Sequence, residues 1–485
     1  MNIRITSISK ACAVLTLMAF GMLGVSATQA QDQPQEPQQQ DENGKPKPAA
    51  HAPMIDNPDE QDTTVTDPNA LHPDTTPLTG AEAPGLGSVE YRHSYWVPGF
   101  QVATTAQNGA SNGAGWFDTT YLAGNLSLLE NWAHSRLALN YSGGGYFSTD
   151  SAQGNGMYQQ LAFVQSFQWR RWQLNFVDQF AYLPTTSFGF GGLSNIAAPG
   201  VGGSLSPISP GLGSSYIPNQ TVLSSNGPQY SNTFATQATF AVSPRGSITL
   251  VGSYGLLRFT QVGNIDNDDE IGSIGYNYAI TRNDTLGLLY RFTAFHFTGL
   301  SQAIGDNVVN LAYGRKLTGR LAVALFAGPE ITTFRVPVGN QTEQTGVSFG
   351  ANMTYGFERG SMVLSYAHGT NGGSGILAGA TGDNLSVTAN RRLTRVWSAR
   401  GNFGYGRSHA FSANGVESPG FNSFYVGAGL DRPIGRDAIV SFGYTAYIES
   451  TNQAACGIGC SSGATGTQHQ IAVGFQWHTR PFVLR

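Results

Sequence analysis

The chain is poor in charge and in long hydrophobic runs. Charged side chains make up 12% of the 485 residues, about half the share found in typical soluble domains. The longest apolar stretch, residues 11–25, is shorter than the roughly 18 residues that a transmembrane helix needs. A protein of this size with so little charge does not present an ordinary solvated surface, and it has no helix with which to cross a membrane. The mature protein is therefore predicted to be either fully exported or a membrane protein built of β-strands.

Cysteine and metal-ligand clusters are also scarce. Of three cysteines, Cys12 lies in the N-terminal apolar stretch, and Cys456 and Cys460 share a Gly- and Ser-rich segment. We predict a disulfide between that pair, with two free thiols as the alternative. Two cysteines cannot supply the four ligands of a structural zinc site, and the nine histidines are scattered. The sequence therefore predicts no metal and no cofactor.

The N-terminal region has the composition of an exported protein. Arg4 and Lys10 precede or flank the apolar stretch, and Thr28-Gln29-Ala30 offers a small-residue cleavage site, so residues 1–30 are predicted to be a signal peptide. Residues 31–80 are rich in Gln, Pro, Asp and Thr and hold ten acidic residues against two lysines. Such a segment buries too little apolar surface to fold, so we expect it to be disordered. It could serve a periplasmic partner, and the nearly neutral remainder predicts no nucleic-acid partner.

What the rest of the chain does have is a repeat. Eight short turns recur at intervals of about 39 residues, apart from one double interval. Between the turns, apolar and polar residues alternate: in residues 438–449 the even positions from Val440 to Ile448 are apolar, and the odd positions from Ser441 to Glu449 are mostly small or polar. The turn centres are Asn131, Arg170, Pro244, Asn283, Thr318, Arg359, Thr394 and Gly435. This pattern predicts long antiparallel hairpins in a transmembrane up-and-down β-barrel, an all-β fold.

Counting two strands for each turn, plus one near 95–106 and one near 468–479, gives eighteen strands in a barrel of residues 90–485. Pro98 weakens the first strand because proline cannot donate to a ladder, so sixteen is the alternative. An even number places both chain ends on the side of the short turns. That side is the periplasm in outer-membrane barrels.

The two ends of the predicted barrel differ. Nine longer connections fall opposite the short turns, and 184–228, the longest, contains no Asp, Glu, Lys or Arg. Fourteen basic residues lie beside the short turns, where we interpret them as partners of lipid headgroups. They are Arg136, Arg170, Arg171, Arg245, Arg282, Arg315, Lys316, Arg320, Arg359, Arg391, Arg392, Arg395, Arg432 and Arg436.

With these features the chain resembles Gram-negative outer-membrane barrels of the porin class, over roughly residues 90–485. The resemblance implies residence in the bacterial outer membrane, contact with its lipid and lipopolysaccharide, and insertion by the barrel-assembly machinery. It also implies passive diffusion of small hydrophilic solutes. Such barrels end on a strand that closes with an aromatic residue. Here Trp477 and Phe482 both compete for that place, because residues 481–485 extend beyond the last alternating strand.

Eighteen strands enclose a lumen too wide for side chains to fill, so the inward face becomes the candidate site. The pore-lining candidates are Arg291, Arg400, Glu330, Asn402, Tyr425 and Gln476. Charges facing each other across the pore would set a transverse field; the alternative is that they pair with neighbours in the wall. The uncharged 184–228 segment could narrow the pore through Phe188, Phe190 and Tyr216.

Other functions compete with a channel. A polysaccharide export or secretion component would use the acidic tail, and an adhesive barrel would use its loops. A barrel enzyme would use a rim histidine such as His296, His368 or His409, but no catalytic constellation is evident and we predict no enzyme. The dense acidic run of residues 266–270 is interpreted as a solvated loop and not as a cation site.

Overall fold

The computed structural model describes most of the region after residue 93 and one short piece before it, all within the compact unit Asn57–Arg485. The described residues are 77–81, 94–108, 115–150, 154–183, 216, 228–260, 263–300, 302–335, 342–373, 375, 377–411, 419–452 and 465–484. No helix in this described part is long and apolar enough to cross a membrane.

The described chain is a succession of long antiparallel strands of 12 to 16 residues. They are β1 Ser94–Asn108, β2 Trp116–Asn131, β3 Ser135–Ser148, β4 Gly156–Gln168, β5 Trp172–Leu183, β6 Gln229–Ala241, β7 Gly246–Phe259, β8 Asn267–Ala279, β9 Asp284–Phe297, β10 Ala303–Thr318, β11 Leu321–Arg335, β12 Thr342–Phe357, β13 Gly360–Asn371, β14 Ala380–Arg392, β15 Ser398–Ala410, β16 Gly420–Ile434, β17 Ala438–Thr451 and β18 Thr465–His478. A three-residue piece, β19 Phe482–Leu484, follows.

The strands close into a barrel. Each long strand pairs with its sequence neighbours, and β1 also pairs with β18, from Gly99 opposite His478 to Gln107 opposite Gln470. The short β19 continues the line of β18 and pairs with Ser94–Trp96 of β1. The barrel is therefore an eighteen-stranded one whose last strand is interrupted, which confirms the predicted fold class and strand number.

Pro98 lies at the interruption. On one side it stands opposite Leu126 of β2; on the other, the partner strand changes from β18 to β19 between His478 and Phe482. The Pro98 carbonyl still accepts a bond from Thr479 N–H at 2.9 Å. The missing N–H thus falls where the partner strand is broken, so proline does not remove β1 from the barrel. Trp477 and Phe482 both remain exposed, and Phe482 stacks on Trp96 with ring centroids 4.9 Å apart.

Alternation along each strand separates two environments. Large apolar side chains occupy the outer face and remain exposed, whereas small, amide and hydroxyl side chains occupy the inner face. Outer examples are Leu250, Ile274, Leu325, Val347, Val426 and Ile471, and inner examples are Asn140, Asn175, Thr233, Ser273, Thr332 and Thr445. An apolar exterior around a polar interior is the distribution required of a barrel embedded in lipid.

One predicted connection is shorter than expected. The sequence places a loop at 263–269, but β8 already begins at Asn267, so most of the acidic run belongs to a strand. Asp268 forms a bidentate pair with Arg258 at 2.6 and 2.7 Å, and Asp266 Oδ1 accepts Phe259 N–H at 2.8 Å. The interpretation as a solvated loop was wrong, because a cross-strand arginine and a backbone amide satisfy these carboxylates.

Part of the inner face is apolar and covered. A buried cluster crosses the inner side of β1 to β8 and includes two residues that belong to no strand. The strand members are Tyr95, Val97, Leu129, Ala138, Val164, Val177, Ala235, Val251 and Ile271, and the additional members are Ala81 and Tyr216. Chain from outside the barrel wall therefore lies inside the barrel, against one half of its inner surface.

Neighbouring residues of β13 allow a direct test of the two environments. Leu364 stands opposite Met353 on the outer face, whereas Val363 stands opposite Thr354 on the inner face and is 40% exposed there. We expect Leu364→Arg to lower the free energy of unfolding by about 2–4 kcal/mol, since it places a charge in hydrocarbon near mid-strand. Val363→Arg, at the same depth, is expected to cost less than about 1 kcal/mol. Denaturant titration of the barrel in lipid vesicles measures both, and equal losses would contradict the assignment of faces.

Candidate solute pathway

The 184–228 connection reaches the inner wall at Tyr216. Its side chain is 4% exposed, and its hydroxyl lies 3.1 Å from Ser273 Oγ on the inner face of β8. Burial raises the pKa of this hydroxyl above its usual value of 10.0, so it is a neutral hydrogen-bonding group at any physiological pH. Tyr216 is thus a fixed point of the longest connection within the barrel. Phe188 and Phe190, the other predicted constriction residues, lie outside the described residues.

A charged patch lies next to this contact. Arg291 of β9 stands opposite Ser273, and Val308 of β10 stands between Arg291 and Glu330 of β11. Arg291 is 8% exposed and Glu330 3%. The two predicted pore charges therefore lie two strands apart on the same wall, not on opposite walls. Arg291 and Glu330 therefore do not face each other across the lumen and do not set a transverse field between them.

Asp306 of β10 is the third charge of the patch, and it interacts electrostatically with both Arg291 and Glu330. Its carboxylate is 1% exposed and accepts a bond from the Thr332 hydroxyl at 3.1 Å. Asp306 is not evident from the sequence because alternation on β10 is ambiguous: the inner positions Ile304 and Val308 are as apolar as the outer ones. Only the register with β9 and β11 shows which face Asp306 occupies.

Glycines provide the space for Glu330. Its Oε1 accepts the Thr370 backbone N–H at 2.8 Å, which joins β11 to the long-connection end of β13. A Cβ at Gly346 or Gly369 would lie 3.8 or 3.5 Å from the Glu330 carboxylate oxygens. The carboxylate therefore lies flat along the wall between these two glycines. It is held by the backbone and does not project as a free side chain.

Neutral amides line the other side of the lumen. Gln101 Nε2 donates to Tyr158 Oη at 2.9 Å and to Ser142 Oγ at 3.2 Å, which ties β1 to β3 and β4. Within the described part of the chain, five further buried amides of the inner face retain atoms with no protein partner. On this side they are Asn140 Nδ2 and Oδ1, Gln160 Oε1 and Gln229 Oε1, and nearer the charged patch they are Asn267 Oδ1 and Asn310 Oδ1. A buried amide needs a hydrogen-bonding partner, so these groups suit water or a hydroxylated solute.

The remaining predicted pore residues lie on the inner face of β15, β16 and β18. Arg400 of β15 forms an ion pair with Asp431 of β16 at 3.2 Å, and Asn402 follows it on the same face. Tyr425 is 1% exposed because its ring lies over Gly404, and Gln476 occupies an inner position of β18. Arg400 thus pairs with a neighbouring residue of the wall, which was the alternative to a charge that faces another across the pore. The predicted cysteine pair, Cys456 and Cys460, lies outside the described residues.

A second group of polar residues faces outwards near the long-loop end. His368 Nδ1 lies 2.8 Å from Asp383 Oδ1, and the Tyr366 hydroxyl donates to the same oxygen at 2.8 Å. The His368 ring stacks on Phe349 with centroids 4.8 Å apart, while His409 pairs with Arg407 through Nε2 at 2.7 Å. The histidine–carboxylate pair is therefore completed by a phenol and an aromatic ring.

The short-turn end of the lumen is basic. A recess of about 540 Å³ opens there between the turns that follow β4, β6, β8 and β10. We call it the basic recess; its charged lining is Arg170, Arg171, Arg245, Arg282, Arg315 and Lys316. Arg315 has an acidic neighbour in Asp284, whose Oδ1 is 3.5 Å from Nε. The charged residues come from the turns after β4, β6 and β8 and from the end of β10, where Lys316 lies on the inner face and Arg315, paired with Asp284, lies on the outer face.

A closed barrel of eighteen long antiparallel strands, with an apolar outer face and a polar lumen, is the architecture of a porin-like outer-membrane barrel. Its short turns then face the periplasm and its long connections face outwards. No protein-family model and no curated protein matches the sequence. The similarities found are to solved structures.

Three of those structures illustrate the likeness. OpdK of Pseudomonas aeruginosa, solved with vanillate, has 9% identity and a TM-score of 0.42 over 79% of this chain and 99% of its own. A BenF-like porin of Pseudomonas fluorescens Pf-5 has 9% identity and a TM-score of 0.41 over 81% and 99%. OccAB4 of Acinetobacter baumannii has 11% identity and a TM-score of 0.39 over 80% and 98%. Identities this low assign no solute to the present chain, so its function has to follow from its own lumen.

The packing of the Tyr425 ring against Gly404 can be tested by substitution. A Cβ at Gly404 would overlap the Tyr425 ring, whereas a Cβ at Gly401 of the same strand would meet only Gly427 O at 4.0 Å. We expect Gly404→Ala to destabilise the barrel by about 1–3 kcal/mol, because the buried ring must move. Gly401→Ala should change stability by less than about 0.5 kcal/mol. Guanidinium unfolding followed by tyrosine and tryptophan fluorescence measures the difference, and equal values would refute the packing role of Gly404.

Proposed function

We propose that this protein is an outer-membrane channel for passive diffusion of small hydrophilic solutes. The observation that carries the proposal is the combination of a closed eighteen-strand wall and a polar inner face. Barrels of sixteen to eighteen strands are too wide to be filled by their own wall side chains and leave an aqueous passage. An apolar exterior keeps that passage in the membrane, and amides, hydroxyls and paired charges line it.

The unpaired amide atoms favour neutral hydroxylated solutes and water along the β3, β4 and β6 side. Asn140 has an unpaired donor and acceptor there, and Gln160 and Gln229 have unpaired acceptors, whereas the charged residues Arg291, Asp306 and Glu330 lie on β9 to β11. A solute with hydroxyl groups can replace the lost bonds of water at each of these positions. A strongly apolar solute cannot. We therefore expect polyols and small sugars to pass more readily than apolar molecules of equal size.

Tyr216 supports a constriction by the 184–228 connection. The buried Tyr216, held on Ser273, fixes one residue of this long uncharged connection against the inner wall beside Arg291. Because the segment has no charged side chain, it would restrict passage by size and contact and leave the ionic character of the lumen to the wall. Arg291, Glu330 and Asp306 would then set the local charge at the narrow zone, and Arg400 with Asp431 the charge nearer the periplasm.

We also propose that the protein is not an enzyme. The histidine best placed for catalysis is His368, which has a carboxylate partner in Asp383. That carboxylate is shared with the Tyr366 phenol, and the His368 ring is stacked on Phe349. Nucleophilic catalysis by such a pair needs a hydroxyl within reach of the histidine, and here the adjacent hydroxyl points to the acid. A role in fixing the outer face of β12 to β14 accounts for this group.

Conductance in planar bilayers tests the channel together with its constriction. The wild-type protein is expected to give stable, ohmic current steps. Tyr216→Ala should raise the mean conductance and its fluctuation, because the 184–228 segment loses its buried contact. Tyr216→Phe is the matched control, since it removes only a hydrogen bond worth about 0.5–1.5 kcal/mol and keeps the ring. A wild-type barrel that inserts but never conducts would refute the channel.

Ion selectivity tests the charged patch. Arg291→Gln leaves Asp306 and Glu330 without their cation, so the lumen becomes more negative at this depth. We expect the chloride-to-potassium permeability ratio, measured from the reversal potential in a potassium chloride gradient, to fall by about twofold. Arg407→Gln removes a positive charge from the outer face at a similar height and should leave the ratio unchanged. Equal effects of the two substitutions would show that Arg291 does not face the ion path.

A further inference from the structure

A short piece of chain before the barrel is bound inside it. Residues 77–81 form a turn in which Gly80 N–H donates to Pro77 O at 3.0 Å. Thr79 is 1% exposed and Ala81 2%. Their neighbours are inner-face residues of β6 to β10 near the short-turn end, so the segment lies in the lumen on the periplasmic side. Residues 77–80 are the last positions of the segment for which the sequence predicts disorder, and here Thr79 is buried and hydrogen-bonded to the wall.

The wall offers this segment a fitted set of hydrogen bonds. Thr79 N–H donates to Asn277 Oδ1 at 3.2 Å, and Asn277 Nδ2 donates back to Thr79 Oγ1 at 2.7 Å. Ala81 N–H donates to Gln237 Oε1 at 2.7 Å. Asn277 and Gln237 are 5% and 3% exposed. Two buried wall amides, from β8 and β6, are thus used to bind one turn of peptide.

The wall is also shaped for it by glycines on three neighbouring strands. A Cβ at Gly275 would overlap Thr79, and one at Gly287 would lie 3.1 Å from Thr79 Cγ2. A Cβ at Gly314 would lie 2.8 Å from Leu78 Cδ2. By contrast, Gly272 of the same β8 strand has open space around its Cβ position. The inner glycines therefore form a groove that side chains would fill, and residues 78 and 79 occupy it.

The groove ends at the basic recess. Pro77 and Leu78 belong to the lining of that recess, together with its five arginines and Lys316. The chain immediately before Pro77, residues 57–76, contains Asp59, Glu60, Asp62, Asp67 and Asp74 and no lysine or arginine. The sequence that leads into Pro77 therefore carries five acids, and Pro77 itself lies in the lining of the basic recess. At such short range the effective concentration of a tethered partner is in the millimolar range.

We propose that residues 77–81 anchor the N-terminal segment in the lumen and that acidic residues 57–76 are the counter-charge of the basic recess. The occupied recess would oppose the passage of small anions at the periplasmic end. This inference rests on the proposed channel function. It differs from a recruitment role, in which the same acids would bind a periplasmic protein and leave the recess free for anions.

The placement of the anchor is tested first, in a way that does not depend on conduction. Thr79→Cys combined with Asn277→Cys, in a background with Cys456→Ser and Cys460→Ser, is expected to form an intramolecular disulfide under mild oxidation, seen by mass spectrometry of the folded barrel. Thr79→Cys with Ser365→Cys, on the inner face of a distant strand, is the control and should not cross-link. Failure of the first pair to cross-link in folded protein would overturn the anchor.

The counter-charge is tested by the chloride-to-potassium permeability ratio of the reconstituted full-length chain. Deletion of residues 57–76 with the anchor kept, and replacement of its five acids by Asn or Gln, should each raise the ratio by about threefold at 0.1 M salt. The increase should largely disappear at 1 M salt, where charges are screened within about 3 Å. Gly275→Val, which fills the place of Thr79, should act in the same direction. Gly272→Val on the outer face of the same strand should not.

The outcomes separate the two proposals. If the wild type and all variants conduct with the same ratio, the counter-charge is overturned and the channel stands. If none conducts although the barrels are folded and inserted, both are overturned. If the deletion lowers the ratio, the recess does not bind the acids and the sign of the proposal is wrong. An increase for the deletion and for Gly275→Val, absent in the Gly272→Val control, supports the proposal.

Discussion

Every backbone N–H and C=O in the hydrocarbon layer has to be satisfied by another backbone group, and the rest of this structure depends on that constraint. In lipid no water replaces a missing partner, so a sheet that spans the membrane must close. Here closure is made by β1, which pairs with β2 on one side and with β18 and β19 on the other. Even the irregular point obeys the rule, because Pro98 lacks its N–H where the partner strand is interrupted.

Closure at eighteen strands creates the second constraint, which is an interior that the wall cannot fill. One part of that interior is handled by burying chain against the apolar inner stripe of β1 to β8, through Ala81 and Tyr216. Another part holds the charged residues Arg291, Asp306 and Glu330 of β9 to β11, which interact electrostatically. Inner-face amides such as Asn140 and Gln229 line a third part, and each has a side-chain atom without a protein partner among the described residues. The width and the polarity of the passage depend on how much of the lumen each of these three parts occupies.

Glycines of the inner face make room for residues that lie against the wall. Gly404 admits the ring of Tyr425, Gly346 and Gly369 flank the carboxylate of Glu330, and Gly275 and Gly314 admit Thr79 and Leu78. At Gly404, Gly275 and Gly314 a side chain occupies the space where a Cβ would be, whereas Glu330 only makes contact at Gly346 and Gly369. Glycine positions therefore decide where a side chain or peptide can lie close to the inner face of the wall. The groove that holds residues 77–81 is one such place.

Much of the wall could be predicted from the sequence. The period of two along strands such as β17 and the recurrence of short turns predicted the fold class and the number of strands, because these depend on local alternation and local turn chemistry. Parity also placed residues such as Asn402 and Tyr425 on the inner face. It did not identify Asp306, since both faces of β10 carry apolar residues. It also misread residues 267–270, because the outer-face charges of Asp268 and Glu270 resemble a loop until Arg258 of β7 is found to pair with Asp268.

The sequence by itself determined that the chain crosses a membrane with alternating strands, since each strand has to match lipid on one side and a polar space on the other. Only the tertiary structure decided what occupies that space. The contacts of Tyr216 with Ser273, of Glu330 with Thr370 and of Thr79 with Asn277 join residues 57, 40 and 198 positions apart. Alternation carries no information about such pairs, because they are fixed by barrel closure and strand register.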